Sequence, residues 1–148
     1  MAGEFGRRDL LQGSLAFMGA APLCCVTPEA PSEAVSFDGP VLRLDLNRAR
    51  ELRRVGGVVT VVNAERKLNL LVAHAEKGRY VALDRVCTHG GAMCVYNHKR
   101  QSLRCTSLNH AEYDLNGTLL HGRTHGNLRA YAVRVRGERV EIEWERRS

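Results

Sequence analysis

Two short clusters of cysteine and histidine lie close together in the middle of the chain. The first contains Cys87 and His89, and the second contains Cys105 and His110. Thiolate and imidazole are ligands for zinc and for iron in proteins, and two Cys with two His make a complete ligand set. The spacing therefore predicts one metal centre that is closed from two sides by two loops.

The remaining cysteines do not suggest a disulfide framework. The chain has five cysteines, an odd number, and two of them belong to the clusters. Cys24 and Cys25 lie near the N-terminus, and Cys94 is left over between the clusters. A small disulfide-stapled domain would use an even set spread through the fold, so metal binding is the better interpretation.

The elements around the clusters are predicted to be β-strands. Apolar and polar residues alternate, as expected for half-buried strands, around residues 42–46, 131–135 and 140–144. A short β-branched run at 58–62 and the segments 68–73 and 80–83 are also predicted to be strands. The dipeptide Asn116-Gly117 predicts a tight type I′ hairpin directly after the second cluster. One short helix is expected at Asn47–Val55, ended by Gly56-Gly57. The chain is therefore expected to be all-β.

The N-terminal part has a different character. Arg7-Arg8 precedes a mildly apolar stretch, which is typical of a twin-arginine export signal, and residues 1–26 are predicted to be this signal or a membrane anchor. The stretch is shorter than the ~20 residues that span a bilayer comfortably. Residues 27–39 contain several Pro, Ser and Glu and are predicted to be a linker. The folded domain is expected at residues 40–148.

The charge of the chain excludes one class of partner. The net charge is +6, but the arginines are spread along the whole sequence without a compact basic run interleaved with aromatic residues. This pattern does not indicate nucleic-acid binding. A basic surface instead suits an acidic protein partner.

The motifs resemble those of the Rieske [2Fe–2S] family. The segment Val86–Gly91 resembles the first ligand box, Leu103–His110 resembles the second, and Tyr113–Gly117 resembles the hairpin that follows it. The resemblance extends over about residues 40–146. It implies small antiparallel sheets, with one [2Fe–2S] cluster bound at the tip of a subdomain. It also implies that Cys87 and Cys105 hold the inner iron, and that His89 and His110 hold the outer iron.

The sequence departs from the family pattern in its second box. The usual spacing is Cys-x-x-His-Gly, whereas His110 lies five positions after Cys105 and is followed by Ala111. Ala92 stands where high-potential members have a disulfide-forming cysteine, and their sulfide-bonding serine has no counterpart. Tyr113 matches a tyrosine whose hydroxyl bonds a ligand sulfur, so we assign it a redox-tuning role. Fewer hydrogen bonds to sulfur predict a reduction potential below that of quinol-oxidising members.

The resemblance implies electron transfer without independent enzymatic activity. The preferred hypothesis is an exported subunit of a quinol-oxidising or related respiratory oxidoreductase, on the periplasmic side of the membrane. Its partners would be a cytochrome b-type or other quinol-oxidising subunit, a c-type cytochrome and, in some complexes, quinol itself. Two alternatives remain open: a cytosolic Rieske-type ferredoxin that serves an oxygenase, and a structural module that binds zinc or has lost its metal.

Overall fold

A computed structural model describes residues 26–145 of the chain, and its main element is a seven-stranded antiparallel sheet. The strands follow the order β1-β2-β11-β10-β5-β4-β3. Their bounds are Val35–Asp38 (β1), Val41–Asp45 (β2), Val58–Asn63 (β3), Leu68–Glu76 (β4), Arg79–Asp84 (β5), Ala130–Arg136 (β10) and Arg139–Glu143 (β11). The expected all-β class is confirmed.

Alternating burial gives this sheet a core of its own. In β2, Leu42 and Leu44 are fully buried while their neighbours are partly exposed, and Val140 and Ile142 follow the same pattern in β11. Successive side chains of a strand point to opposite faces, so this pattern places one face of each strand in the core. Leu70 in β4 packs in the same cluster.

A second, four-stranded antiparallel sheet is inserted between β5 and β10. Its order is β6-β7-β8-β9, with bounds Cys94–Asn97 (β6), Ser102–Cys105 (β7), Glu112–Tyr113 (β8) and Leu119–His121 (β9). β5 and β10 pair directly through Leu83 and Ala130, so the insertion leaves and rejoins the large sheet at neighbouring positions. A second core lies between the two sheets, where Leu103 and Tyr113 of the small sheet pack in one cluster with Leu71 and Leu83 of the large sheet.

The chain before β2 packs on the large sheet. The Ala30 amide donates to the Thr60 carbonyl, the 3₁₀ helix Ser32–Ala34 follows, and β1 pairs with β2. The segment predicted as a linker, residues 27–39, therefore contributes one edge strand of the sheet. The predicted signal or anchor, residues 1–26, lies almost wholly outside the described residues. Within residues 26–145, no helix has the length and apolar character needed to span a bilayer.

Two local predictions differ from the structure in detail. The expected helix at residues 47–55 is a single 3₁₀ turn, Arg50–Arg53. The Asn116-Gly117 hairpin is present, but the Gly117 amide donates to the Asp114 carbonyl, and Gly117 has positive φ whereas Asn116 does not. This is the type I turn with a left-handed glycine that is common in longer hairpin loops, in place of the predicted type I′ turn.

Candidate metal centre

The first loop of the site connects β5 to β6 and carries Cys87 and His89. A bridge between Val86 and Met93 closes its base, and inside it the Cys87 amide donates to the Ala92 carbonyl over 2.8 Å. Cys87 is buried and His89 is half-buried. The loop thus points its thiol into the small sheet and leaves its imidazole nearer to solvent.

The second loop connects β7 to β8 and begins at Cys105. The Cys105 amide donates to the Ala111 carbonyl over 2.8 Å, which closes the loop, and the His110 amide donates to the Ser107 carbonyl inside it. His110 has a φ of 45°, in the left-handed region that residues other than glycine seldom adopt. Leu108 occupies the position where the usual spacing would place the histidine, and it is 94% exposed.

Hydrogen bonds join the two loops. The Thr106 amide and the Thr106 hydroxyl both donate to the Met93 carbonyl, each over 3.0 Å. The loop between β9 and β10 also contacts the first loop, because the Thr88 hydroxyl donates to the Gly126 carbonyl over 3.2 Å. Cys87, Cys94 and Cys105 are all free thiols in the described part of the chain. The loops are therefore held together without the disulfide that high-potential members form through a cysteine at the position of Ala92.

Three of the four predicted ligands come together. One ligand atom from each of Cys87, His89 and Cys105 lies within 4.8 Å of the others. His89 Nδ1 is 2.8 Å from Cys87 Sγ and 4.0 Å from Cys105 Sγ. The predicted fourth ligand, His110, is exposed in the second loop and is not part of this compact group. Its role as a ligand stays a prediction.

Two hydroxyl groups lie against the thiol sulfurs. The Tyr113 hydroxyl is 3.2 Å from Cys87 Sγ, and the Ser107 hydroxyl is 3.2 Å from Cys105 Sγ. The sequence pattern indicates Tyr113 but not Ser107, because the serine of the family pattern has no counterpart here. The signal was present, since a hydroxyl two residues after a ligand cysteine lies in the same tight loop.

Burial and these hydrogen bonds shift the proton affinities in the site. Burial raises the pKa of Cys105, but the hydrogen bonds from the Ser107 hydroxyl and amide, followed by those with Cys87 and Cys94, together outweigh it, so the pKa lies below its usual value. Burial, and after it the hydrogen bond with Cys87, raises the pKa of Tyr113. Tyr113 therefore keeps its proton and can donate it to a sulfur, while Cys105 is predisposed to the thiolate form that metals bind.

Cys94 is the third thiol of the site, and sequence analysis gave it no partner. It is fully buried at the start of β6, directly across the small sheet from Cys105. Burial, followed by the neighbouring sulfurs of Cys87 and Cys105, raises the pKa of Cys94 well above its usual value. Only the register of the two strands reveals this neighbourhood, because eleven positions separate Cys94 from Cys105 in the sequence.

Comparison with known proteins identifies the motifs. The family model described as "Rieske [2Fe-2S] domain" matches residues 43–132. The plasma membrane Rieske protein PetC3 from the cyanobacterium Synechocystis PCC 6803 has a similar fold, with a TM-score of 0.51 and 22% identity over 58% of this chain and 85% of that protein. The ferredoxin of carbazole 1,9a-dioxygenase from Nocardioides aromaticivorans IC177 gives a TM-score of 0.49 and 18% identity over 62% of this chain and 88% of that one. No curated protein sequence matches the chain.

Proposed function

Because the chain belongs to the Rieske [2Fe–2S] family, we propose that its electron transfer serves an exported, membrane-associated oxidoreductase that oxidises quinol or a related donor. Electron transfer through a [2Fe–2S] cluster is the function that the Rieske domain indicates. The observation that carries this function is the compact group of Cys87, His89 and Cys105 inside the matched region.

The donor set fits such a cluster. Cys87 and Cys105 are buried on the inner side of the site. His89 is half-buried and His110 is exposed, so both histidines lie nearer to solvent. Thiolates on an inner iron and imidazoles on an outer iron would match this arrangement. When bound, a Rieske cluster takes up and releases one electron at a potential of roughly −150 to +300 mV. Of the four predicted ligands, His110 is the one that must approach the group.

The chain's own residues would adjust this potential and protect the site. Tyr113 and Ser107 place one hydroxyl against each thiol sulfur. A hydrogen bond to a ligand sulfur stabilises the more negative, reduced state and so raises the potential. The core of the small sheet keeps water away from Cys87 and Cys105, which are 2% and 1% exposed.

The first experiment is a visible and EPR spectrum of the purified full chain, with iron and zinc assayed on the same sample. We expect a coloured protein with two irons per chain and a Rieske-type EPR signal after reduction. His89→Ala and His110→Ala should both abolish the signal, whereas the matched control His98→Ala, at an exposed position outside both loops, should retain it. A retained signal in His110→Ala would remove His110 from the ligand set.

A second candidate is a single bound metal ion. The three ligand atoms of Cys87, His89 and Cys105 lie within 4.8 Å of one another, two thiols and one imidazole are ligand types that zinc takes, and His110 lies outside their group. A colourless protein with one zinc per chain would support this candidate. It would make the domain a structural module and would end the proposal of electron transfer.

The location and the partners rest on the sequence. Arg7-Arg8 before an apolar stretch supports export, and the net charge of +6 supports docking to an acidic redox protein such as a c-type cytochrome. The proposed site of action is the periplasmic side of the membrane, and the proposed electron donor is quinol or a cytochrome b-type subunit.

Cell fractionation of the wild-type chain and of a variant with Arg7→Lys and Arg8→Lys tests the export. We expect the wild type outside the cytoplasm, either bound to the membrane or soluble there, and the variant retained inside. If the wild-type protein is found only as a soluble cytoplasmic pool, the export proposal fails, and the cytosolic ferredoxin alternative takes its place.

A further inference from the structure

Three thiols converge in the small sheet, although the ligand set uses two of them. Cys87, Cys94 and Cys105 are all free and are at most 2% exposed, and they share one buried cluster. Cys94 is assigned to no metal or disulfide by its motif. Its position next to a predicted ligand suggests chemistry of its own.

Cys94 and Cys105 are a directly opposed cross-strand pair. They are register partners in the antiparallel pairing of β6 with β7. The neighbouring pair along the ladder is Met93 with Thr106. The Thr106 amide donates to the Met93 carbonyl, so this neighbouring pair is of the hydrogen-bonded type. The amides of Cys94 and Cys105 bond outward instead, to the Arg85 and Ala111 carbonyls respectively.

Pairing types alternate along an antiparallel ladder, so Cys94 and Cys105 form a non-hydrogen-bonded pair. In such a pair the Cα atoms are about 4.5 Å apart and the two side chains lie on the same face. Disulfides span Cα separations of roughly 4.4–6.8 Å. The backbone therefore already holds these two cysteines at a separation that a disulfide accepts.

We propose that Cys94 and Cys105 form a cross-strand disulfide when the metal centre is empty, so that this dithiol is an oxidation site that closes the centre to metal. Cys105 has one sulfur, which either binds iron or bonds Cys94. Cys87 is the less suitable partner, because it lies in the first loop with its sulfur against His89 and the Tyr113 hydroxyl.

A small disulfide such as oxidised glutathione supplies the oxidising power. The Cys105 thiolate attacks one of its sulfurs, which releases one glutathione thiolate and leaves a mixed disulfide. Cys94 then gives up its proton and attacks the Cys105 sulfur, which releases the second glutathione thiolate. The protein loses two hydrogens, and the small disulfide is reduced to two thiols. The first step requires the exposed second loop to open, since Cys105 itself is buried.

Disulfide mapping of the full chain tests the proposal. The reduced, cluster-free protein is treated with oxidised glutathione and cleaved without reductant, by cyanogen bromide after Met93 and by trypsin. Cleavage at Met93 separates Cys87 from Cys94, and trypsin cuts at Lys99 and Arg104. We expect the peptide 94–99 to be joined to the peptide 105–123. A Cys105 that stays free, keeps glutathione or joins any other cysteine overturns the proposal.

Two variants make the assignment specific. Cys94→Ala lacks the resolving thiol, so Cys105 should gain the mass of one glutathione instead of losing two hydrogens. Cys87→Ala is the matched control and should still form the link between Cys94 and Cys105. The same adduct on Cys105 in the wild type and in Cys94→Ala would show that Cys94 does not resolve the mixed disulfide, contrary to the proposal.

The consequence for metal binding rests on the proposed function, whereas the mapping does not. After oxidation, incorporation of iron and sulfide into the wild-type protein should be lost, and it should return after treatment with dithiothreitol. If the link is found but iron uptake is unaffected, the disulfide does not close the centre. If the reduced protein also takes up no iron, the proposed function fails while the disulfide stands.

Discussion

At the scale of single residues, one hydroxyl group lies against each of the two buried sulfurs that are predicted to bind metal. Tyr113 is fully buried and approaches Cys87, and Ser107 approaches Cys105 from inside the second loop. The sequence alone predicts a lower potential, because the sulfide-bonding serine of high-potential members has no counterpart. Ser107 supplies a second hydroxyl to a ligand sulfur, so the potential should lie higher than the expectation based on Tyr113 alone.

Replacing Tyr113 with Phe should lower the reduction potential. The variant keeps the buried ring and removes only the hydroxyl that lies 3.2 Å from Cys87 Sγ. A hydrogen bond of about 0.5–1.5 kcal/mol corresponds to roughly 20–65 mV for one electron. Redox titration followed by visible absorption measures the shift.

Tyr96→Phe is the matched control, because this ring packs in the same core and, among the described residues, its hydroxyl makes no hydrogen bond to a sulfur. An equal shift in both variants, or no shift in Tyr113→Phe, would refute the tuning role. Ser107→Ala should lower the potential by a similar amount, since it removes the corresponding hydroxyl from Cys105.

At the scale of elements, short loops between paired strands position the predicted ligands. Cys105 is the last residue of β7, and Cys87 follows β5 by three positions, so the large and the small sheet each fix one end of the site. The hairpin between β8 and β9 then holds Tyr113 behind Cys87. Changes in this hairpin should therefore affect both stability and the site.

Gly117→Ala should destabilise the protein strongly. Gly117 has a φ of 82°, and a Cβ there would lie 2.6 Å from the Leu128 carbonyl oxygen. The left-handed conformation costs about 1–2 kcal/mol and overpacking about 1–3 kcal/mol, so we expect a loss of roughly 2–5 kcal/mol in the free energy of unfolding. Denaturant unfolding of the cluster-free protein measures it.

Gly137→Ala is the matched control for this clash. Gly137 also has a positive φ, but a Cβ there would have no neighbour within 4 Å. Its loss should therefore be limited to about 1–2 kcal/mol. Equal losses at the two positions would contradict the role given to the contact between Gly117 and Leu128.

Glu112 gives the small sheet a pH-dependent stability. Its carboxylate accepts hydrogen bonds from Ser102 over 2.5 Å and from Arg100 over 2.8 Å. The Ser102 hydrogen bond is the main cause that lowers the pKa of Glu112 below the usual 4.5. A carboxyl group with a lowered pKa in the folded state adds stability above its unfolded pKa and loses it as the pH falls through the folded pKa.

Glu112→Gln should therefore cost about 1.5 kcal/mol in the free energy of unfolding at neutral pH. The difference from the wild type should shrink as the pH falls below 4.5. Urea unfolding of both cluster-free proteins at several pH values measures this difference. Glu76→Gln, which breaks only an exposed pair with Arg79, should change little at any pH. A constant difference between wild type and Glu112→Gln at all pH values would exclude the ionised form as the cause.

At the scale of the whole molecule, the buried residues form two cores. The larger core packs against the seven-stranded sheet, whereas the smaller core surrounds the thiols of the site and includes Leu71 and Leu83 from the large sheet. The small sheet has only short strands, and two of its loops carry the ligands. The local stability of the small sheet should therefore depend on the metal centre more strongly than that of β2 and β11, which pack in the larger core.

Removal of the cluster should increase amide hydrogen exchange mainly in the small sheet. We expect faster exchange in residues 87–97 and 102–113, because the ligands no longer hold the two loops together. Exchange in β2 and β11 should change little, since each of these strands is paired on both sides and packs in the other core. Mass-spectrometric exchange of the two forms checks this. Equal acceleration in both sheets would show that the two cores unfold as one unit.

The sequence by itself determined the chemistry and the class of fold. Residue type and spacing revealed the ligand motifs around Cys87 and Cys105, and alternation of apolar residues revealed the strands, because both signals are local. Local signals also predicted the hairpin at Asn116-Gly117, although its turn type depends on how the flanking strands are paired.

Only the tertiary structure decided which distant residues meet. The register of β6 with β7 places Cys94 opposite Cys105, and the closure of the second loop brings the Ser107 hydroxyl to a sulfur. The same closure leaves His110 exposed, outside the compact group of ligands. Strand register and loop path are set by the packing of whole sheets, so no short window of sequence contains them.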